Sequence, residues 1–107
     1  MSVKEIEVDE LETVLSGGAR LIDVREVGEY QSGHVPGAVL IPLGTVPDRV
    51  ADFDGDGPTY IICKTGARSM RAAEFLAERG LDVVNVAGGT MAWMRSGRTI
   101  VDGDQPS

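Results

Sequence analysis

One stretch of the chain, Cys63-Lys64-Thr65-Gly66-Ala67-Arg68-Ser69, carries the ingredients of thiol chemistry. It contains the single cysteine of the sequence. A strand-like run, Thr59-Tyr60-Ile61-Ile62, precedes it, and a helix-like run, Ser69 to Arg79, follows. A strand-to-helix turn aims backbone N–H groups into one small bowl, and the first helical turn adds its own unpaired donors. The helix dipole contributes the equivalent of roughly half a positive charge at that end. Lys64 and Arg68 add whole charges, and Thr65 and Ser69 offer hydroxyl donors. Such a bowl binds anions and favours thiolate over thiol. This matters because a free cysteine with pKa near 8.5 is only about a few per cent thiolate at pH 7. A cysteine after three apolar residues also fits a small buried hydrophobe. That reading leaves the glycine, two cations and two hydroxyls that follow Cys63 unexplained.

The elements that must hold this loop follow from patterning along the chain. The 107 residues suit one domain, spanning 1–107, with a core over about 5–97 and an extended tail over 99–107. Glu5-Ile6-Glu7-Val8 alternates and predicts a short edge strand. Asp9, with Glu12 three residues on, predicts a capping-box helix start, and Leu11, Val14 and Leu15 form its apolar stripe. Gly17-Gly18 ends that helix. Leu21-Ile22-Asp23-Val24 predicts a central strand with one buried carboxylate, and Glu26 to Gln31 a short helix. Pro36-Gly37 marks a turn before a third strand, Ala38 to Ile41. Thr45 to Val50 predicts a short helix, and Thr59 to Cys63 the fourth strand. Met70, Ala73, Leu76 and Ala77 give the inner face of the next helix, which Gly80 stops. Asp82 to Val86 is the fifth strand, and Gly88-Gly89 leads into a last helix carrying Met91, Trp93 and Met94. Alternating strands and helices predict an α/β fold, with a five-stranded, mainly parallel sheet covered by helices on both faces. Ligands in such sheets sit outside the carboxyl ends of strands, where Cys63 and the Asp23–Arg25 segment both lie.

Composition narrows the function further. Hydrophobic residues make up 42% and charged residues 25%, ordinary for a soluble globular domain. The net charge of −7 argues against nucleic acid and anionic membrane surfaces as partners. No stretch approaches the ~20 apolar residues of a membrane span. Met1 to Glu7 has no apolar h-region, so no secretory leader is expected, and a reducing cytoplasm is the expected location. A lone cysteine excludes an intramolecular disulfide and means that any acceptor for a modified Cys63 comes from outside the chain or from a second copy.

Asp23-Val24-Arg25, Glu29-Tyr30, Gly33-His34-Val35-Pro36-Gly37-Ala38, Ile41-Pro42, the Cys63 loop and Gly88-Gly89 through Trp93 occur in this order. Together they resemble the rhodanese family in its single-domain form, over about residues 5 to 97. The resemblance implies a three-layer fold and sulfurtransferase activity. A catalytic thiolate, here Cys63, takes sulfane sulfur from a small anionic donor such as thiosulfate and becomes a persulfide. It then hands the sulfur to cyanide, an external thiol, or a thioredoxin-like or sulfur-relay protein. Lys64, Thr65, Gly66, Ala67, Arg68 and Ser69 form the substrate-binding and persulfide-binding loop under this reading, with no cofactor and no metal. Related phosphatases and arsenate reductases resemble Cys-x5-Arg, whereas this chain has Cys-x4-Arg, a ring better sized for one sulfur atom. A persulfide carrier and a regulatory binding module are the other readings, and phosphatase activity ranks below them.

The remaining conspicuous residues read as structural. His34, the only histidine, lies in the Pro-Gly turn and is expected to hold that turn. Asp23 and Arg25 are expected to brace the active loop from behind, Asp23 accepting N–H bonds or pairing with a cation, and Arg25 bridging within its own motif to Glu29. Asp52 to Gly57 imitates the first half of a calcium loop, but position 12 would be Cys63. It is read as a solvated connector. Met70, Met91 and Met94 are expected as core filler, Trp93 as an anchor for the last helix, and Arg71 and Arg79 as exposed.

Overall fold

A computed structural model describes residues 3–107. Five strands form one sheet: β1 (Lys4–Ile6), β2 (Arg20–Asp23), β3 (Val39–Leu40), β4 (Thr59–Ile62) and β5 (Val83–Val86). Their order is β1-β5-β4-β2-β3, and every pairing between them is parallel. The strand that leads into Cys63 is therefore the middle one, and its end is flanked by the ends of β2 and β5. Register places Asp23 beside Ile62 and Ile61 beside Asn85.

Period-two alternation along β4 sends its side chains to opposite faces. Tyr60 and Ile62 join a core with Val8, Leu11, Tyr30, Val84 and Trp93. Ile61 and Cys63 join another with Ala72, Ala73, Leu76, Val46 and Phe53. Helices α1 (Val8–Ser16), α2 (Val27–Ser32) and α4 (Gly89–Arg95) contribute to the first core, and α3 (Ala67–Ala77) to the second. Leu11 and Leu76 are fully buried, which stabilises by about 1.5–3 kcal/mol each. No helix among the described residues is long and apolar enough to cross a membrane.

Several boundaries depart from the sequence expectations. The first helix starts at Val8, not after an Asp9 cap; Glu7 stands at the N-cap without a side-chain bond. Val8 belongs to the first core, and the helix begins two residues earlier than an Asp9 cap predicts. The third strand pairs through only two residues, and the segment after it forms two 3-10 turns, Leu43–Asp48 and Val50–Phe53. In the second turn Asp52 pairs with Arg49. The segment 99–107 does not hang free. Val101 exchanges two backbone bonds with His34, Gly103 N–H donates to the Gln31 carbonyl, and Gly37 N–H donates to the Pro106 carbonyl. Trp93 is anchored as expected, its indole N–H donating to the Thr99 carbonyl at 2.7 Å.

Candidate active site

The loop after β4 has two backbone ends to satisfy, and each is satisfied from a different helix. Its carbonyls face α4. Thr90 donates its N–H and its hydroxyl to the Cys63 carbonyl, at 2.8 and 3.0 Å, and Met91 N–H donates to the Lys64 carbonyl at 3.0 Å. The approach is so close that a Cβ on Gly89 would lie 2.5 Å from the Cys63 carbonyl oxygen and 2.6 Å from that of Lys64. Only glycine fits there, and its φ of +60° is also one that glycine tolerates best. The loop's N–H groups turn instead toward α3, whose N-cap is Gly66 at φ +110°. This left-handed turn folds the loop back over the Cys63 side chain.

The sulfur of Cys63 sits where these donors converge. Gly66 N–H reaches it at 3.1 Å and the Ser69 hydroxyl at 3.2 Å. The residue is almost completely buried, at 1% exposure. Burial pushes the thiol pKa up. The Ser69 hydroxyl and the backbone N–H groups of Ser69, Gly66 and Thr65 pull it down, and they prevail: the thiol lies below its ordinary value. Thr65 thus acts through its backbone. The groups that draw the thiol down most are a hydroxyl and backbone amides. Lys64 is exposed and makes no ion pair among the described residues.

Arg68 extends over α2 and grips Glu29 with both nitrogens, at 2.7 and 2.8 Å. The Arg68 hydrogen bonds hold the Glu29 carboxyl down to about 2. Arg25 does not bridge to Glu29. It pairs with Asp23 instead, at 2.9 Å, and donates to the Gly33 carbonyl at 2.8 Å. Asp23 also accepts the Arg25 N–H at 3.0 Å, so both roles expected for it are filled by one residue. This fully buried pair sits at the end of β2, one strand from the Cys63 turn. Behind it, His34 is entirely buried and stacked on Tyr30 at 3.6 Å between ring centroids. Its two ring nitrogens lie 2.8 Å from the carbonyl oxygens of Tyr30 and Gln105. It holds the turn and the C-terminal segment together, and neither ring nitrogen bonds the thiol loop.

An open cleft of about 240 Å³ lies beside Lys64, between Glu29 and Ser32 on α2 and Met91 and Met94 on α4. Met94 is 54% exposed there, so it lines the mouth of the site and does not fill the core. No group of three or more His, Cys, Asp or Glu side chains that could hold a metal ion occurs among the described residues.

Residues 7–96 match the family described as the Rhodanese-like domain. The chain belongs to that family. Rhodanese-like relatives share most of its length. The protein named "Putative sulfurtransferase YtwF" of Bacillus subtilis (strain 168) is 40% identical over 95 residues, covering 87% of this chain and 92% of its own. A protein of Allochromatium vinosum named "Sulfurtransferase" is 37% identical over 82 residues, covering 76% of this chain and 77% of its own. The crystal structure of a rhodanese-like domain protein from Staphylococcus aureus superimposes with a TM-score of 0.79 at 40% identity, covering 85% of this chain and 91% of that one.

The structure thus gathers Cys63, Gly66 and Ser69 around one sulfur and sets Lys64 at the mouth. It turns Arg68 away toward Glu29, and it sets the Asp23–Arg25 pair at the end of β2, where Arg25 lines the cleft beside Lys64 instead of bracing the loop from behind. Three residues that sequence reasoning did not assign also shape the site: Glu29 as the partner of Arg68, Thr90 under the Cys63 carbonyl, and Asn85, a polar residue in an otherwise apolar strand, whose amide donates to the Gly66 carbonyl.

Proposed function

We propose that this rhodanese-like domain is a sulfurtransferase that carries sulfane sulfur as a persulfide on Cys63. The thiolate attacks the outer sulfur of thiosulfate; a new S–S bond forms, the old one breaks, and sulfite leaves with its electron pair. An acceptor such as cyanide or a thiolate then attacks the terminal sulfur, and Cys63 leaves as thiolate. The thiolate is the attacking species, and the donors that lower the Cys63 pKa favour it without a neighbouring general base. The observation that carries this reading is the convergence of a backbone N–H and the Ser69 hydroxyl on the buried Cys63 sulfur. That ring suits a single anionic atom. Preorganised donors of this kind favour negative charge on either the thiolate or the terminal sulfur of the persulfide. The four-residue spacing between Cys63 and Arg68 supports sulfur over a tetrahedral oxyanion. Lys64, at the open side, is suited to draw in a dianionic donor. The chemistry needs Cys63 reduced, which a cytoplasmic setting provides.

Steady-state kinetics with thiosulfate and cyanide test the proposal. Parallel double-reciprocal lines, thiocyanate as product, and loss of activity in Cys63→Ser are expected. Turnover by Cys63→Ser near the wild-type rate would overturn it. Hydrolysis of an aryl phosphate without thiocyanate formation would restore the phosphatase reading.

A further inference from the structure

Ser69 has one hydroxyl proton and two acceptors within reach, the Cys63 sulfur at 3.2 Å and the Gly66 carbonyl at 3.3 Å. It donates to one of them at a time. Which acceptor wins decides whether the sulfur keeps its only side-chain donor among the described residues. The Gly66 carbonyl already accepts the Met70 N–H at 3.1 Å, the first helical bond of α3. A carbonyl oxygen has two lone pairs. The second is met by Nδ2 of Asn85, at 3.2 Å.

Asn85 is 1% exposed, in the strand next to β4. The orientation of its amide is fixed by its neighbours. Nδ2 faces two acceptors, the Gly66 carbonyl and Oε2 of Glu5 at 2.8 Å, and one N–H goes to each. Glu5 is brought there by register, opposite Asn85 in the β1–β5 pairing. A flipped amide would set its oxygen against a carbonyl and a carboxylate. The cost of this arrangement is visible on the other side of the group: Oδ1 of Asn85 is buried and has no hydrogen-bond partner among the described residues. An apolar residue would avoid that orphan acceptor. Its presence points to a task for the N–H side.

We propose that Asn85 is a positioning residue: by saturating the Gly66 carbonyl it reserves the Ser69 hydroxyl proton for the sulfur of Cys63. Asn85 touches neither substrate nor sulfur and acts through Ser69. The inference rests on Cys63 being the nucleophile of sulfur transfer. Its test reads the thiol directly and does not depend on turnover.

Cys63 is the only cysteine, so the pH dependence of iodoacetamide alkylation of the full chain reports this thiol alone. Asn85→Leu removes both amide donors at similar volume, and Asn85→Ala does so without adding bulk. In either variant the Ser69 proton falls back to the Gly66 carbonyl, and the alkylation inflection moves up by roughly half a unit to one unit. Ser69→Ala moves it up as well. The deciding arm is the double variant: with no hydroxyl left to redirect, Asn85→Leu or Asn85→Ala on a Ser69→Ala background produces no further shift. An unchanged inflection in a folded Asn85 variant would overturn the proposal. So would an equal shift with and without Ser69, because a general loosening of the loop does not depend on the hydroxyl. Absence of thiocyanate formation by the wild-type chain would count against sulfur transfer and leave the alkylation result standing.

Discussion

Arg68 and Glu29, 39 positions apart in the chain, face each other as a planar two-bond ion pair across the top of the site. The guanidinium is thereby committed to fastening α3 to α2, and its charge is largely offset before any substrate arrives. Glu29→Gln is expected to leave one hydrogen bond from the guanidinium to a neutral acceptor and to lower stability by about 1 kcal/mol, since both partners are one-third exposed. The pH dependence has a definite sign. The folded carboxyl titrates at about 2, below its unfolded value near 4.3. Its contribution is complete above the unfolded value and is lost as pH falls toward the folded one. Urea unfolding of the two proteins between pH 2 and 7 should therefore show curves that differ at neutral pH and converge in acid.

Among the described residues, Lys64 is a cation at the mouth of the site that makes no ion pair. Lys64→Ala should raise the KM for thiosulfate severalfold at low ionic strength, an effect that salt suppresses. The alkylation pH profile of Cys63 should barely move, because the hydroxyl of Ser69 and the amides of Ser69, Gly66 and Thr65 set it. Steady-state kinetics at two salt concentrations, alongside the alkylation profile, check both halves.

Gly89 and Gly28 form a matched pair for testing backbone approach. Gly89→Ala drives a methyl group into the Cys63 and Lys64 carbonyls. It should cost at least about 2 kcal/mol and most of the activity, because the loop has to shift. Gly28→Ala, on the exposed side of α2 with nothing within 4 Å, should be neutral or stabilising by up to about 1 kcal/mol. Thermal unfolding and thiocyanate production on each variant distinguish the two.

His34→Ala removes a fully buried ring, two contacts with backbone carbonyls and a stacking partner for Tyr30. A loss of about 2–4 kcal/mol is expected, with the C-terminal segment released from the turn. The folded fraction should alkylate with the wild-type pH profile. A shifted profile would assign the histidine a part in activating the thiol.

Much of this architecture was legible in the sequence because its signals are local. Short, mostly apolar runs mark β2, β4 and β5, and the Cys63 turn lies between a strand pattern and a helix pattern. The fold places Cys63 at the carboxyl end of the middle strand for the same reason. What escaped were relations with long chain separation. One short-range relation escaped as well: Arg25 has Asp23 two residues before it and Glu29 four after it, and only the burial of the carboxyl end of β2 decides that Asp23 is its partner. The glycines at 88 and 89 read as a helix start, while the room Gly89 leaves for the Cys63 and Lys64 carbonyls depends on α4 packing against the loop. The C-terminal segment carries no periodic pattern, because it is held by backbone bonds to the His34 turn. Asn85 gave one faint sign, an amide among valines, and nothing in the sequence says that Gly66 lies in front of it.

The central claim is that Cys63 itself carries the sulfur, and intact mass measures this most directly. After incubation of the full chain with thiosulfate and no reductant, the wild type should gain about 32 Da, one sulfur atom. The gain should disappear on adding cyanide, with thiocyanate released, and should be absent in Cys63→Ser. A wild-type chain that stays at its starting mass while its thiol still alkylates, or a gain that persists in Cys63→Ser, would contradict the account.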